Sequence, residues 1–345
     1  MEKRLSKIGY QVDMKDILNR LIAFETLSKD EAKQILIRIS TEEFSEVQIA
    51  SFLTVFMMRN ITLEELDGFR EALLEMCLAL DLSEYNAIDL CGTGGDSKNT
   101  FNISTLAAFV TSGAGVNVAK HGNYGVSSVS GSSNVLESLG VKFNNNEDHH
   151  KRCLDEAGIC ILHAPLFHPA MKSVAPIRKS LALKTFFNML GPMVNPSRPK
   201  QQVVGVYSLQ LLRLYSYLFQ KSHDSFAIVH ALDGYDEISL TGQAKVSAHN
   251  AEYVLDADSF GVKAHTLEDI YGGESVEDAA EIFMNVLNND CTRAQKNVVC
   301  ANAALSISVA NGVDVLTAFG QARESLESKS ALKNFKTLVN LSKRI

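Results

Sequence analysis

The chain has 345 residues, 46% hydrophobic and 21% charged, enough apolar material for one large globular domain and a smaller one. Its formal net charge of −7 argues against a general nucleic-acid binder, which needs a basic face to collect phosphates, but leaves room for a small, locally positive pocket. Six cysteines without a C-x-x-C pair predict buried thiols rather than a disulfide framework or a zinc site. With no apolar stretch of signal-peptide or membrane-spanning length, a cytoplasmic protein without a membrane is expected.

The first 80 residues read as helices. Three capping boxes mark their starts: Ser28-Lys-Asp-Glu31, Ser45-Glu-Val-Gln48 and Thr62-Leu-Glu-Glu65. Ala32, Ile35, Leu36 and Ile39 share one helical face. The following helix is apolar nearly all round, from Val47 to Met58, so it must be covered on more than one side, by core or by a subunit interface.

Beyond residue 80 short apolar strands alternate with helices, with strands predicted at 87–91, 116–119, 159–162, 203–207, 226–230 and 252–255. That alternation predicts an α/β fold, a mostly parallel sheet covered by helices. All six prolines fall between Pro165 and Pro199. This segment, with helical patterning near Met171–Val174 and Ser180–Leu183, reads as an excursion from the sheet into the helical domain. A smaller, discontinuous all-helical domain, with a hinge and a cleft beneath it, is therefore expected. From about Ser275 onward the chain is helical again, with 296–310 mostly apolar, and Asn144–Asn146 reads as a loop tip.

Two glycine-rich loops follow apolar strands: Gly92-Thr-Gly-Gly-Asp96, and Lys120-His-Gly-Asn123. Between them, Asn102-Ile-Ser-Thr105 opens a helix. Amides at a glycine turn and a helix start form an anion site, so a ligand rich in phosphate is the first inference. The first loop is neither a Rossmann fingerprint, because Ser97 takes the sixth position, nor a Walker A loop. Lys120 brings a fixed positive charge, and Ser127, Ser128, Ser130, Ser132 and Ser133 follow with hydroxyl donors suited to a diphosphate. Asp233-Gly-Tyr-Asp-Glu237 would repel such a ligand unless a cation intervened. Magnesium, held by Asp236 and Glu237 with Ser104 on the phosphate side, resolves the conflict. Arg178 suits bidentate recognition of a carboxylate, whereas His163 and His168 read as structural. In a parallel sheet all four loops (92–96, 120–123, 163–168 and 233–237) leave the carboxyl ends of strands, where ligands collect. No serine–histidine–acid triad or cysteine nucleophile is evident, so the expected chemistry is positioning and charge stabilisation.

These motifs, with His168-Pro-Ala-Met171, Phe187-Asn-Met-Leu-Gly-Pro192, Asn195-Pro196 and Gly131-Ser132, closely resemble those of the anthranilate phosphoribosyltransferase family over nearly the whole chain. Single motifs are shared with pyrimidine nucleoside phosphorylases, the nearest enzymatic alternative. The resemblance implies transfer of a phosphoribosyl group from phosphoribosyl diphosphate to the amine of anthranilate, with Mg2+, in a homodimer formed through the N-terminal helices. It implies a helical domain of residues 1–80 joined by about 166–190, and a phosphoribosyl-diphosphate-binding α/β domain of 81–165 and 191–345. Carried over by position, Gly92, Gly95, Asp96, Thr100, Asn102, Ile103, Ser104, Thr105, the run Lys120, His121, Gly122, Asn123, Tyr124, Gly125, Val126, Ser127 and Ser128, and Ser132 would line the phosphoribosyl diphosphate site. Gly92, Asn123 and Arg178 would contact anthranilate, and Ser104, Asp236 and Glu237 would serve magnesium. Lys120, His121 and Asn123 would position the reactants, with no acid–base catalyst. The chain departs from the family pattern where Tyr124-Gly125 replaces an arginine and a small residue, Asn134 an aspartate, and Ala182 and Lys184 a glycine and an arginine.

Overall fold

The computed structural model describes residues 13–125 and 130–344, in two compact units. One comprises the chain up to Met76 together with Ala170–Phe187; the other comprises Cys77–Pro169 and Asn188–Ile345.

In the helical unit the three capping boxes form as the sequence predicts. Ser28 and Ser45 cap the helices Lys29–Ser40 and Glu46–Met58, and Thr62 exchanges the same reciprocal bonds with Glu65 ahead of Leu63–Met76. The apolar helix Glu46–Met58 buries Ile49, Phe52, Leu53 and Phe56, with both phenylalanines packed edge-on against Phe69 and Phe186. Its other face leaves Val47 and Met58 77% and 78% exposed. The proline-rich segment forms a short 3-10 turn at Pro169–Met171 and a helix at Ala175–Leu181. The helical patterning expected at 180–183 stops at Leu181, because Ala182 turns into the left-handed region.

The second unit holds a seven-stranded sheet: β1 (Ile88–Gly92), β2 (Val118–Gly122), β3 (Ile159–His163), β4 (Gln201–Gly205), β5 (Ser225–Ala231), β6 (Ala244–Ala248) and β7 (Glu252–Leu255). Its order is β3-β2-β1-β4-β5-β6-β7. The first five strands in that order run parallel and β6 pairs antiparallel with both β5 and β7, so the expected mostly parallel α/β fold is what forms. β6 has no counterpart among the predicted strands. Its Ala-Lys-Val-Ser-Ala sequence carries a single β-branched residue, and its pairing with β5 and β7 compensates for that weak intrinsic preference. β2 extends through Gly122, so Lys120, His121 and Gly122 end a strand where a loop was expected.

The strand order reverses between β1 and β4, the topological switch point at which open α/β sheets bind ligands. Behind it the helix Arg293–Asn311 is buried along most of its length, packed with Ile103–Gly113 in one continuous core.

Candidate active site

At the end of β1 the chain must turn sharply into 93–102. Gly94 and Gly95 take φ of +61° and +80°, a conformation costly for side-chain-bearing residues. Gly92 and Gly205, at the ends of the adjacent β1 and β4, leave room for Asp236. A Cβ on Gly92 would meet the Asp236 carboxylate at 2.5 Å, and one on Gly205 would collide with the Asp236 backbone. Asp236 Oδ2 accepts the Gly94 N–H at 2.7 Å. Glu237 Oε1 accepts the N–H of Ser104 at 2.9 Å, in the first turn of Ile103–Gly113, and Thr100 Oγ1 donates to its Oε2 at 3.5 Å. The glycine turn, the helix start and the acidic loop are thus joined directly. Two amides of the anion-binding frame are taken by the protein's own carboxylates.

Burial pushes the carboxyl groups of both Asp236 and Glu237 up, and repulsion adds to it, from Asp96 on Asp236 and from Asp236 and Asp96 on Glu237. The field of Lys120 opposes the shift on Glu237. Among the described residues no three acidic, histidine or cysteine side chains converge as metal ligands. Magnesium, however, binds through one or two carboxylates, waters and substrate phosphates, so a hard-oxygen pair with raised pKa values fits that cation.

Lys120 is buried, donates from Nζ to the Leu90 carbonyl at 2.5 Å, and has its pKa lowered by burial. Beside it, Asp89 is wholly buried in β1. Its Oδ1 accepts the His121 N–H at 3.1 Å and its Oδ2 accepts from Asn195 Nδ2 at 2.9 Å and Gln202 Nε2 at 3.3 Å. Burial raises this carboxyl to about 6 against the field of Lys120. His121 Nδ1 lies 3.1 Å from the Gly191 carbonyl, and burial lowers its pKa to about 3, so the ring is neutral near pH 7. Its Nε2 is buried without a hydrogen-bond partner among the described residues, as is Asn102 Oδ1. Such groups require partners.

Past β2, Ser132 Oγ donates to the Asn123 carbonyl at 3.2 Å, and Asn102 Nδ2 to the Ser130 carbonyl at 3.0 Å. The Tyr124 hydroxyl reaches the Glu137 carboxylate at 3.3 Å, and its ring lies edge-on to His163. Asn134 Oδ1 accepts from both Gly125 N and Gly131 N, at 2.9 and 3.1 Å, an acceptor role that an aspartate would fill at the cost of an added charge. His163 accepts or donates at 2.8 Å with Ser133 and stacks on Phe143, a structural arrangement. Val126, Ser127 and Ser128, expected in the diphosphate site, lie outside the described residues.

The sheet edge therefore gathers Gly92, Gly95, Asp96, Thr100, Asn102–Thr105, Lys120–Asn123, Ser132, Asp236 and Glu237 within one unit. Arg178 belongs to the helical unit, on Ala175–Leu181, where its guanidinium lies 5.2 Å from the Phe187 ring centroid and burial lowers its pKa. Sequence reasoning missed Asp89 and Lys98. Lys98 packs its ammonium 4.6 Å from the Tyr235 ring centroid, at the mouth of the acidic loop. A charged residue inside an apolar strand was the available signal for Asp89.

The glycosyl transferase family is matched twice, by its helical bundle domain over residues 15–77 and by its a/b domain over residues 84–332. The anthranilate phosphoribosyltransferase of Christiangramia forsetii is 60% identical over 329 residues, 95% of this chain and 99% of the relative. That of Bacteroides thetaiotaomicron is 52% identical over 332 residues, covering 96% and 100%. Among solved structures, the Thermus thermophilus anthranilate phosphoribosyltransferase superposes with a TM-score of 0.88 at 31% identity, covering 95% of this chain and 99% of that one. The Saccharomyces cerevisiae enzyme in complex with PRPP and Mg gives 0.87 at 26% identity, covering 96% and 98%. The chain belongs to the glycosyl transferase family, in its anthranilate phosphoribosyltransferase branch.

Proposed function

We propose that this chain transfers the 5-phosphoribosyl group of phosphoribosyl diphosphate to the amine of anthranilate, releasing diphosphate, a step of tryptophan biosynthesis. The observation that carries the reading is the pair formed by buried Asp236 and part-buried Glu237, two carboxyl groups of raised pKa that tie the acidic loop to Gly94 and Ser104 at one sheet edge. The yeast relative's complex with PRPP and Mg, and another with 4-fluoroanthranilate, support both substrates and the cation.

Asp236, Glu237 and Ser104 would hold magnesium, which when bound offsets the charge that develops on the departing diphosphate. The Ser104 and Thr105 hydroxyls and the Asn102 amide would bind phosphoryl oxygens, and Lys120 would add a fixed positive field from beneath. Asn123 and Arg178 would orient the anthranilate, Arg178 through its carboxylate. His121, neutral and buried, holds the end of β2 against Gly191 rather than moving a proton. Displacement at the anomeric carbon then needs alignment and charge stabilisation more than acid–base chemistry.

The test is anthranilate fluorescence. It is expected to decay only when phosphoribosyl diphosphate and magnesium are both present. Phosphate-dependent release of a free base from a pyrimidine nucleoside, with no use of phosphoribosyl diphosphate, would overturn the assignment.

The exposed Val47 and Met58 on the apolar helix Glu46–Met58 support a homodimer formed through the N-terminal helices. A dimer mass in light scattering, reduced to the monomer by Val47→Glu with Met58→Glu, is the expected result. No single helix among the described residues is long and apolar enough to cross a membrane. The six free thiols support a cytoplasmic location.

A further inference from the structure

The acidic loop is gripped from behind by a side chain outside the site described above. Asn302 lies in the middle of the helix Arg293–Asn311, within a run of buried, mostly apolar residues. Its amide reaches across to Ile238, the residue after Glu237. Oδ1 accepts the Ile238 N–H at 3.0 Å, while Nδ2 donates to the Ile238 carbonyl at 2.9 Å and to Val298 O at 2.9 Å. One side chain thereby takes both backbone polar groups of one loop residue. A two-point bond of this kind fixes the orientation as well as the position of the peptide units flanking Ile238.

Asparagine is a poor helix former, and a buried amide is costly unless satisfied. The surrounding interior, Val298-Val-Cys-Ala-Asn-Ala-Ala-Leu305, shows what packing alone selects at such positions. Asparagine combines an acceptor and a donor at the spacing that matches a backbone N–H and C=O. Leucine, serine and aspartate do not provide this pair. On the opposite side, Gly92 and Gly205 leave Asp236 no spare room against β1 and β4. The two carboxylates repel each other in a buried setting, so without restraint the loop would relax by separating them.

We propose that Asn302 is a positioning residue for the cation-binding carboxylates, fixing Glu237 and Asp236 by its paired hydrogen bonds to Ile238. The inference rests on the assignment of Asp236 and Glu237 to magnesium. A displacement of about 1 Å in such a constellation costs on the order of 100-fold in rate. The loss should therefore fall on cation use before it falls on folding.

The experiment compares Asn302→Ala with Val299→Ala, a packing control in the same helix, and with Glu237→Gln, a control on the metal assignment. Two readouts are taken: the magnesium concentration for half-maximal activity, and the magnesium-dependent part of the melting shift produced by phosphoribosyl diphosphate. Asn302→Ala is expected to raise the half-activating concentration about tenfold or more and to lose most of the magnesium-dependent melting shift. Val299→Ala should lower the melting temperature and leave both readouts as in the parent. Asn302→Asp keeps the acceptor for Ile238 N–H and the volume but loses the donor, and it is read in the same way if the alanine variant does not fold. Altered magnesium dependence in Glu237→Gln but not in the Asn302 variants overturns the positioning role alone. Unchanged dependence in Glu237→Gln overturns the metal assignment, and this inference with it.

Discussion

The two units each bury acidic side chains and treat them in opposite ways. In the helical unit Glu65 is 0% exposed and fully partnered. Arg59 forks onto both its oxygens at 2.5 and 3.1 Å, and the N–H groups of Leu27 and Thr62 add bonds at 2.9 Å each. Burial alone would raise its pKa, but these partners outweigh burial and hold it below the usual glutamate value. In the α/β unit Asp236 and Glu237 meet each other and Asp96, with no guanidinium among their hydrogen-bond partners in the described residues, and are pushed up. The first arrangement is complete within the chain and serves structure. The second is left without a compensating charge by the described residues, the condition that the proposed cation would meet.

The largest expected effect lies on the completed side. Arg59→Met leaves Glu65 buried with only its amide donors, and removing one partner of a buried pair costs about 3–5 kcal/mol. Denaturant unfolding would measure it; a loss under about 1 kcal/mol would mean that the Leu27 and Thr62 amides suffice. The sign with pH follows. Because Glu65 is held below its ordinary value, its contribution is present above that value and fades as pH falls through the folded one.

On the other side the balance reverses. Replacing Asp236 and Glu237 by Asn and Gln removes buried repulsion, so turnover should fall on the order of 100- to 1,000-fold while the melting temperature stays level or rises. Paired rate and melting measurements check both halves. A variant that melts much earlier would show the carboxylates to be structural, and one that turns over normally with magnesium would end the metal assignment.

Asp89 gives an intermediate case: partnered, yet raised to about 6 because burial exceeds what Lys120, Asn195 and the His121 amide return. A carboxyl raised on folding contributes most below its unfolded value near 4, and that contribution is lost as pH rises to about 6. The stability of the parent relative to Asp89→Asn should therefore fall by on the order of 2–3 kcal/mol between pH 4 and pH 6.5, then level off. A flat difference across that window would show that Asp89 is not raised.

How legible these features were depended on whether they were local. The capping boxes at Ser28, Ser45 and Thr62 are four-residue codes, and each forms. The glycine turn at Gly94 and Gly95 and the helix start at Asn102 were equally readable, because backbone need selects residue type directly. Partnerships such as Asp236 with Gly94, Asp89 with Asn195 and Asn302 with Ile238 span 64 to 142 positions, and no local pattern encodes them. What the sequence offered there was a polar residue inside an apolar stretch. β6 escaped for a different reason, since its strand state is imposed by its neighbours rather than by its own residues.

The smallest effect concerns backbone rather than charge, and it lies where the chain departs from its family. Ala182 ends the helix Ala175–Leu181 at φ +51°, ψ +27°, with its N–H on the Arg178 carbonyl at 3.1 Å. This is the left-handed cap that glycine occupies without penalty, and glycine is the residue that the family resemblance leads us to expect there. Its Cβ costs roughly 1–2 kcal/mol in that region, and glycine's greater unfolded-state freedom returns part of it. Ala182→Gly should therefore stabilise the helical unit by about 0.5–1 kcal/mol. It should do so without touching the acidic loop, so the magnesium dependence of the reaction should not move. A melting temperature that falls would mean that the Ala182 methyl packs usefully enough to outweigh its strain, making the departure an adaptation of this chain rather than a tolerated cost.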